Sequence, residues 1–126
     1  MNQQQIEAVS KLPGEQRYSH SIKVIADRQE AWGLYSNGWA LAGSSEGRPI
    51  FPIWPRREFA AACATGEWSE YIPKQISIDE LLNALLPSLR ERGTLIGVFY
   101  TSNDKGVIPD LDVFEADVRE ELSQFE

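Results

Sequence analysis

At 126 residues and 14.2 kDa, the chain is the size of one domain, expected to span residues 1–126. Its 42% hydrophobic and 25% charged residues fit a globular protein and are too apolar for a disordered one. With one Cys, Cys63, and one His, His20, an intrachain disulfide and a thiolate zinc site are excluded, and neither a metal nor a cofactor is expected.

The net charge of -7 is unevenly placed. Residues 110–126 hold seven acids and one base, a net of -6, whereas residues 1–109 hold twelve acids and eleven bases. No basic patch is present beyond the short Arg56-Arg57 pair, so nucleic acid is not an expected partner. No apolar run is long enough to predict a membrane span, and Met1–Gln5 has no basic segment followed by an apolar one, so no secretory signal is expected. The composition points to the cytoplasm.

Residues 2–11 are predicted as a short helix with Ile6 and Val9 on one face, broken by Pro13-Gly14. A second helix is predicted over 15–28, where Tyr18, Ile22 and Ile25 form one apolar stripe. The period then changes. Residues 31–36 and 39–43 flank Asn37-Gly38, a pair that tolerates positive φ, so a type I′ hairpin is predicted. A third strand is placed at 49–54, at an edge or bulged at Pro52, which has no backbone donor. Pro55 opens a helix over 56–64, and residues 67–75 are expected to be a loop carrying Trp68, Tyr71 and Ile72.

Ser77-Ile78-Asp79-Glu80 is a capping box that should start a helix reaching Arg92, kinked or split at Pro87. Leu81, Leu82, Leu85, Leu86 and Leu89 line it. Residues 94–100 are apolar enough for a central strand covered on both faces. Residues 102–106 turn, and 106–108 hold a short last strand. On the final helix, starting at Pro109-Asp110, Leu111, Phe114, Val118 and Leu122 form the stripe expected to be buried. Asp112, Glu115, Glu120 and Glu126 are expected on its exposed flank. The predicted class is α+β: a small, mainly antiparallel sheet, with a three-strand meander over about 31–54 and strands at about 94–100 and 106–108, packed with helices. Because the 94–100 strand follows two helices, parallel pairing with an earlier strand stays open.

Several stretches together resemble a bacterial family catalogued as domain of unknown function 2750. They are Arg17-Tyr18 before Ile22-Lys23, Trp32-Gly33-Leu34 leading to Gly38-Trp39-Ala40, and Pro52-Ile53-Trp54-Pro55 followed by Glu58-Phe59-Ala60. Gly66-Glu67-Trp68 before Pro73 and Ile76-Ser77-Ile78, and Val98-Phe99 before Lys105-Gly106-Val107, complete the series. The resemblance covers Arg17 to Leu122 and implies a single bacterial domain, with no activity, ligand or catalytic residue attached. The strand running into a Pro-started helix is also similar, by analogy, to the secretion-enhancer (SseB-like) fold.

The chemical constellations are few. Cys63 lies in Ala-Ala-Ala-Cys-Ala and reads as a buried, inert thiol rather than a nucleophile. His20 falls off the apolar stripe of its helix and reads as a rim residue. Asp79-Glu80 fits capping better than acid–base work. Glu67 and Glu70 flank Trp68 and could form a carbohydrate-type hydrolytic pair. Asp104 and Asp110 lack a calcium-loop register, and Gly33, Gly38, Gly43 and Gly47 do not precede a helix as a phosphate loop would. Four Trp remain: Trp32, Trp39, Trp54 and Trp68 either lid the core or anchor an interface.

Three functions follow as expectations. The first is a non-catalytic protein-interaction module, adaptor- or immunity-like, whose acids Glu115, Glu120 and Glu121 face a basic protein partner. The second is a small-ligand-binding or regulatory domain with a cleft near Trp54, Arg56, Arg57 and Trp68, where Arg pairs an anionic group and Trp covers apolar surface. The third, an enzyme, has no constellation behind it.

Overall fold

The computed structural model describes residues 2–124 and is α+β. Helix α1 (Gln3–Ser10) is capped by Asn2, and α2 (Gly14–Arg28) ends where Gln29 turns left-handed, with φ of 56°. Four strands follow among the helices: β1 (Glu30–Tyr35), β2 (Ile50–Ile53), β3 (Ile72–Ser77) and β4 (Leu95–Val98). Helix α3 (Arg57–Ala62) and a 3-10 turn (Gly66–Trp68) lie between β2 and β3. A continuous helix over 78–92 lies between β3 and β4, and the C-terminal helix (Leu111–Ser123) closes the chain.

The expected meander is matched loosely, its segments meeting through isolated bridges, while the full strand pairs form elsewhere. β1 pairs antiparallel with β3, Ala31 opposite Ile76 and Tyr35 opposite Ile72. β2 pairs parallel with β4, Ile50 opposite Leu95 and Ile53 opposite Val98. A bridge between Trp32 and Trp54 links the two pairs, and Val107 adds one bridge to Val98. The open question about residues 94–100 thus resolves to parallel pairing, over a shorter strand, and 106–108 contributes a single bridge in place of a strand.

Residues 39–43 also form only isolated bridges, Trp39 to Tyr35 and Ala42 to Ile50. The turn itself is present. Asn37 and Gly38 have positive φ, 55° and 155°, but three residues separate Tyr35 from Trp39, so it is not the two-residue type I′ turn. Ala40 still donates to the Leu34 carbonyl at 2.8 Å, but farther along that edge Trp32 is already paired with Trp54, so no full strand forms; the other edge of β1 carries β3. That strand falls where a loop was expected.

Pro52 behaves as its chemistry requires, though inside the sheet. The amides of Ile50 and Trp54 donate to Ala42 and Trp32, both at 2.8 Å. Pro52 faces the same side halfway between them, where the pairing is interrupted, so its missing donor leaves no partner wanting.

The capping box at Ser77 is formed, with Ser77 Oγ accepting from the Glu80 amide at 3.1 Å. The expected kink at Pro87 takes a specific form. Leu81–Leu85 is a π-turn, in which the Leu86 amide donates to the Leu81 carbonyl, and an α-helix resumes over Leu86–Arg92. The widened turn relieves the clash between the Pro87 ring and the preceding turn.

The core gathers Ile25, Leu34, Ile50, Ile53, Trp54, Phe59, Leu81, Leu86, Ile96, Phe99, Phe114 and Val118, all at most 1% exposed. On the C-terminal helix only Phe114 and Val118 are buried. Leu111 and Leu122, expected inside, are half-buried at the two ends of the stripe, where the neighbouring elements run out.

Packing dictates glycine at several positions, Gly33 and Gly106 among them. A Cβ on Gly33 would lie 2.8 Å from the Trp39 ring, so this indole rests directly on β1. A Cβ on Gly106 would collide with the Val98 carbonyl. Arg17, only 4% exposed, holds the loop beside it: its guanidinium donates to the Leu12 carbonyl at 2.6 Å and to Asp104 at 2.8 Å, and stacks over Phe99. Arg17, Gly33, Trp54 and Gly106, which carry much of the family resemblance, thus serve the fold.

Candidate functional site

Several concave surfaces and one charged face remain after the core is accounted for. The concavity with the most apolar lining is a groove of about 450 Å³ on one face of the sheet. The alternation of β1 puts Ala31, Gly33 and Tyr35 on this face together with their β3 partners Ile76, Lys74 and Ile72. Trp39 lies over Gly33, meets Tyr35 edge-on at 5.2 Å and touches Phe51 at 5.4 Å. The Lys74 ammonium sits 4.0 Å from the Tyr35 ring centre and 5.4 Å from that of Trp39, where it steadies the aromatic wall.

The opposite wall is the helix over 78–92, which presents Glu80, Ala84, Leu85, Ser88, Leu89 and Arg92. Phe51, Ile76 and Thr94 line the groove between the walls, and Leu41, 48% exposed, stands at its lip.

A second cleft, of about 310 Å³, lies past the C-terminal ends of the parallel strands β2 and β4. It is lined by Ala42, Cys63, Thr65, Glu67, Trp68, Tyr100, Thr101 and Ser102. Beneath it the Tyr100 carbonyl accepts from Trp54 Nε1 at 2.9 Å and from Cys63 Sγ at 3.2 Å. Trp68 packs on Trp54 and Tyr100, with ring centres 6.2 and 6.1 Å away. The preceding residue, Phe99, has a positive φ of 67°, an unusual conformation for a bulky side chain.

Cys63 is buried, and that burial pushes its thiol up to about 11, partly offset by the Trp54 indole N–H. It is a poor nucleophile at neutral pH. His20 is half-buried, edge-on to Phe59, and its basicity is lowered by burial and by the charge of Arg56. Among the described residues neither side chain hydrogen-bonds the other.

The four residues expected around one cleft are separated. Trp54 is 0% exposed and belongs to the core. Trp68 lines the second cleft, but Arg56 lies beside Gln5, Ala8 and Val9 of α1, 3.8 Å from Glu58. Arg57 is exposed and lines none of these concavities. The cause is Pro55, which turns the chain out of the sheet immediately after Trp54 has entered the core. Glu67 lines the cleft while Glu70 does not, so no pair of carboxylates is built around Trp68.

The acids of the C-terminal helix divide. Glu115, expected on the exposed flank, is half-buried and bracketed by two guanidinium groups: Arg90 at 2.6 Å and Arg119 at 2.8 Å. Arg119 and Arg90 together hold its carboxyl below the usual range. Asp112 also pairs with Arg90, at 3.0 Å. Asp117 accepts from the Tyr18 hydroxyl at 2.5 Å. Burial, with this contact, raises the Tyr18 hydroxyl's pKa. Glu120 is exposed and Glu121 half-buried beside a shallow depression with Tyr18 and Lys23. Glu126 lies outside the described residues.

Of the groove residues, Trp39 is singled out from the sequence, as a core lid or an interface anchor. The spacing gives no signal for the rest: under regular winding Leu81, Leu82, Leu85, Leu86 and Leu89 fall within an arc of about 140°, and Leu85, the one left half-exposed, lies inside that arc rather than at its edge.

A family model described as Protein of unknown function (DUF2750) matches residues 18–118. No curated protein and no solved structure matches the chain.

Proposed function

We propose that this chain, which belongs to the DUF2750 family, is a non-catalytic protein-interaction module of the bacterial cytoplasm, adaptor- or immunity-like in role. The observation that supports this reading is the groove. Its walls combine an aromatic cluster around Trp39 with a leucine face, and Leu41 is left at the lip with half its surface in water. An apolar concavity rimmed by polar residues is a surface suited to an apolar segment of another protein. Glu120 and Glu121 add negative potential, which would speed encounter with a basic partner.

The test is to isolate a partner on immobilised wild-type protein, identify it, and measure its affinity for purified wild type and Leu41→Lys by calorimetry. Leu41→Lys should weaken binding at least tenfold while leaving the thermal midpoint within a few degrees. Equal affinity for both proteins would move the interaction away from the groove.

A second reading, small-ligand binding, is favoured by one specific observation. The second cleft opens at the C-terminal ends of parallel strands and carries hydroxyls from Thr65, Thr101 and Ser102 beside the Trp68 ring. Trp68→Phe and Thr101→Val should then abolish retention of a small molecule seen by native mass spectrometry. The same mass for the native and the denatured wild-type protein would remove this reading.

A further inference from the structure

Resting on the groove reading above, we infer that the occupant of the groove is an amphipathic α-helix, laid antiparallel to the 78–92 helix, acidic at its start and basic at its end.

Three features of the groove lead to this. First, the groove lies on the face of the sheet, between Phe51, Ile76 and the helix, and not along a strand edge. An extended peptide docked there would find no ladder of backbone donors and acceptors and would bury unsatisfied groups of its own. A helix satisfies its backbone internally and offers only side chains.

Second, the wall is shaped for one. Ala84 and Ser88 are small and sit beside Leu85 and Leu89, so a second helix can come close and place its apolar side chains between them.

Third, the ends of the groove carry opposite charge. Glu80 stands at the start of the wall and Arg92 at its end, twelve residues on, about 18 Å away at helical rise. Arg92 forms no ion pair among the described residues. Glu80 spends one carboxylate oxygen on Ser77 in the capping box. A helix running antiparallel brings its first turn to Arg92 and its last turn to Glu80. Acids in a first turn and bases in a last turn already suit a helix's own dipole. The groove's charges and the occupant's intrinsic preference therefore select the same orientation.

The probe is a fluorescein-labelled peptide of about fourteen residues, or four turns, held helical by a lactam bridge because short free helices are marginal in water. It carries Leu at steps of three and four, Glu in the first turn and Lys in the last. A second peptide exchanges the Glu and Lys positions, and a third repeats the first with two central Pro. Binding to the full chain is followed by anisotropy at low and at physiological salt.

The first peptide should bind best, with a preference over the exchanged peptide of roughly three- to tenfold at low salt that shrinks as salt is added. Arg92→Glu should abolish that preference, because both ends of the groove are then acidic, with circular dichroism confirming an unchanged fold. Leu41→Lys, and independently Ala84→Gln, should remove binding of both. Equal affinity of the first and exchanged peptides would overturn the orientation. Equal affinity of the Pro-containing peptide would overturn the helical occupant. If no peptide binds wild type, yet an isolated partner still loses affinity with Leu41→Lys, the helical occupant falls and the interaction module stands. If that partner is indifferent to Leu41→Lys as well, both fall.

Discussion

The groove and the C-terminal helix present opposite faces of one lesson. By residue count the C-terminal helix is the conspicuous surface, with a local net of -6. Folded, much of that charge is engaged within the molecule: Asp112 and Glu115 on Arg90, Glu115 on Arg119, and Asp117 on Tyr18. The groove is nearly silent in a charge count, yet it leaves Leu41 and Leu85 without cover. Charge totals along a chain measure solubility and long-range field. What a surface can offer a partner is whatever the fold has not already used.

This contrast can be tested from its strongest point to its weakest. The C-terminal helix is held by its apolar side. Phe114→Ala should therefore cost about 3–5 kcal/mol in urea unfolding, because a fully buried aromatic ring leaves a cavity behind. A loss under 1 kcal/mol would mean the helix is not anchored this way.

The next effect concerns the groove wall. Gly33→Ala forces a methyl against the Trp39 ring and should destabilise by about 1–3 kcal/mol. It should also blue- or red-shift Trp emission and weaken binding in the groove, since the indole must move. Unchanged emission and stability would show that Trp39 does not rest on β1.

A smaller effect is expected at Glu115. Its folded pKa lies below the ordinary value of 4.5, so the unfolded chain binds more protons as pH falls through that window. The stabilisation is complete above the ordinary value and is lost as pH drops through the lowered one. Glu115→Gln should flatten the stability profile below about pH 4.5 and cost under about 1 kcal/mol at neutral pH. It should matter less in high salt. A profile identical to wild type would remove the Arg90–Glu115–Arg119 cluster as a working contact.

Smallest of all, Glu120→Gln with Glu121→Gln should leave stability within about 0.5 kcal/mol. Their signature is kinetic: a lower association rate with a basic partner at low salt, converging with wild type at high salt. Should the same pair of changes alter stability more than Glu115→Gln does, the division of acids into engaged and free would be wrong.

What could be read from the chain follows the range of the forces involved. The Ser77–Glu80 capping box, the punctuation at Pro13-Gly14 and the turn at Asn37-Gly38 depend on residues a few positions apart, and they stand where the spacing places them. Strand β3 has the sequence of a loop, because Pro73, Lys74 and Gln75 have little strand propensity and only Ile76 is buried. It exists because β1, some forty residues earlier, offers it an edge. The cleft expected at Trp54 failed for the same reason: the partner of that indole is the Tyr100 carbonyl, 46 residues away. The stripe of the last helix was right at its centre, Phe114 and Val118, and too long at its ends.

The π-turn at Leu81–Leu85 has a consequence for the history of the groove. A π-turn is a helix carrying one residue more than regular winding requires, and such turns are read as single-residue insertions. One residue rotates everything downstream by about 100°. With it, Ser88, Leu89 and Arg92 share a wall with Glu80. A homologue shorter by one residue between positions 81 and 85 would wind regularly and keep its basic end on that wall, whereas one of equal length that wound regularly there would swing its basic end off it. Winding at this single place, and not length alone, would then separate chains that can hold the charged occupant from chains that cannot, without any change in which amino acids line the groove.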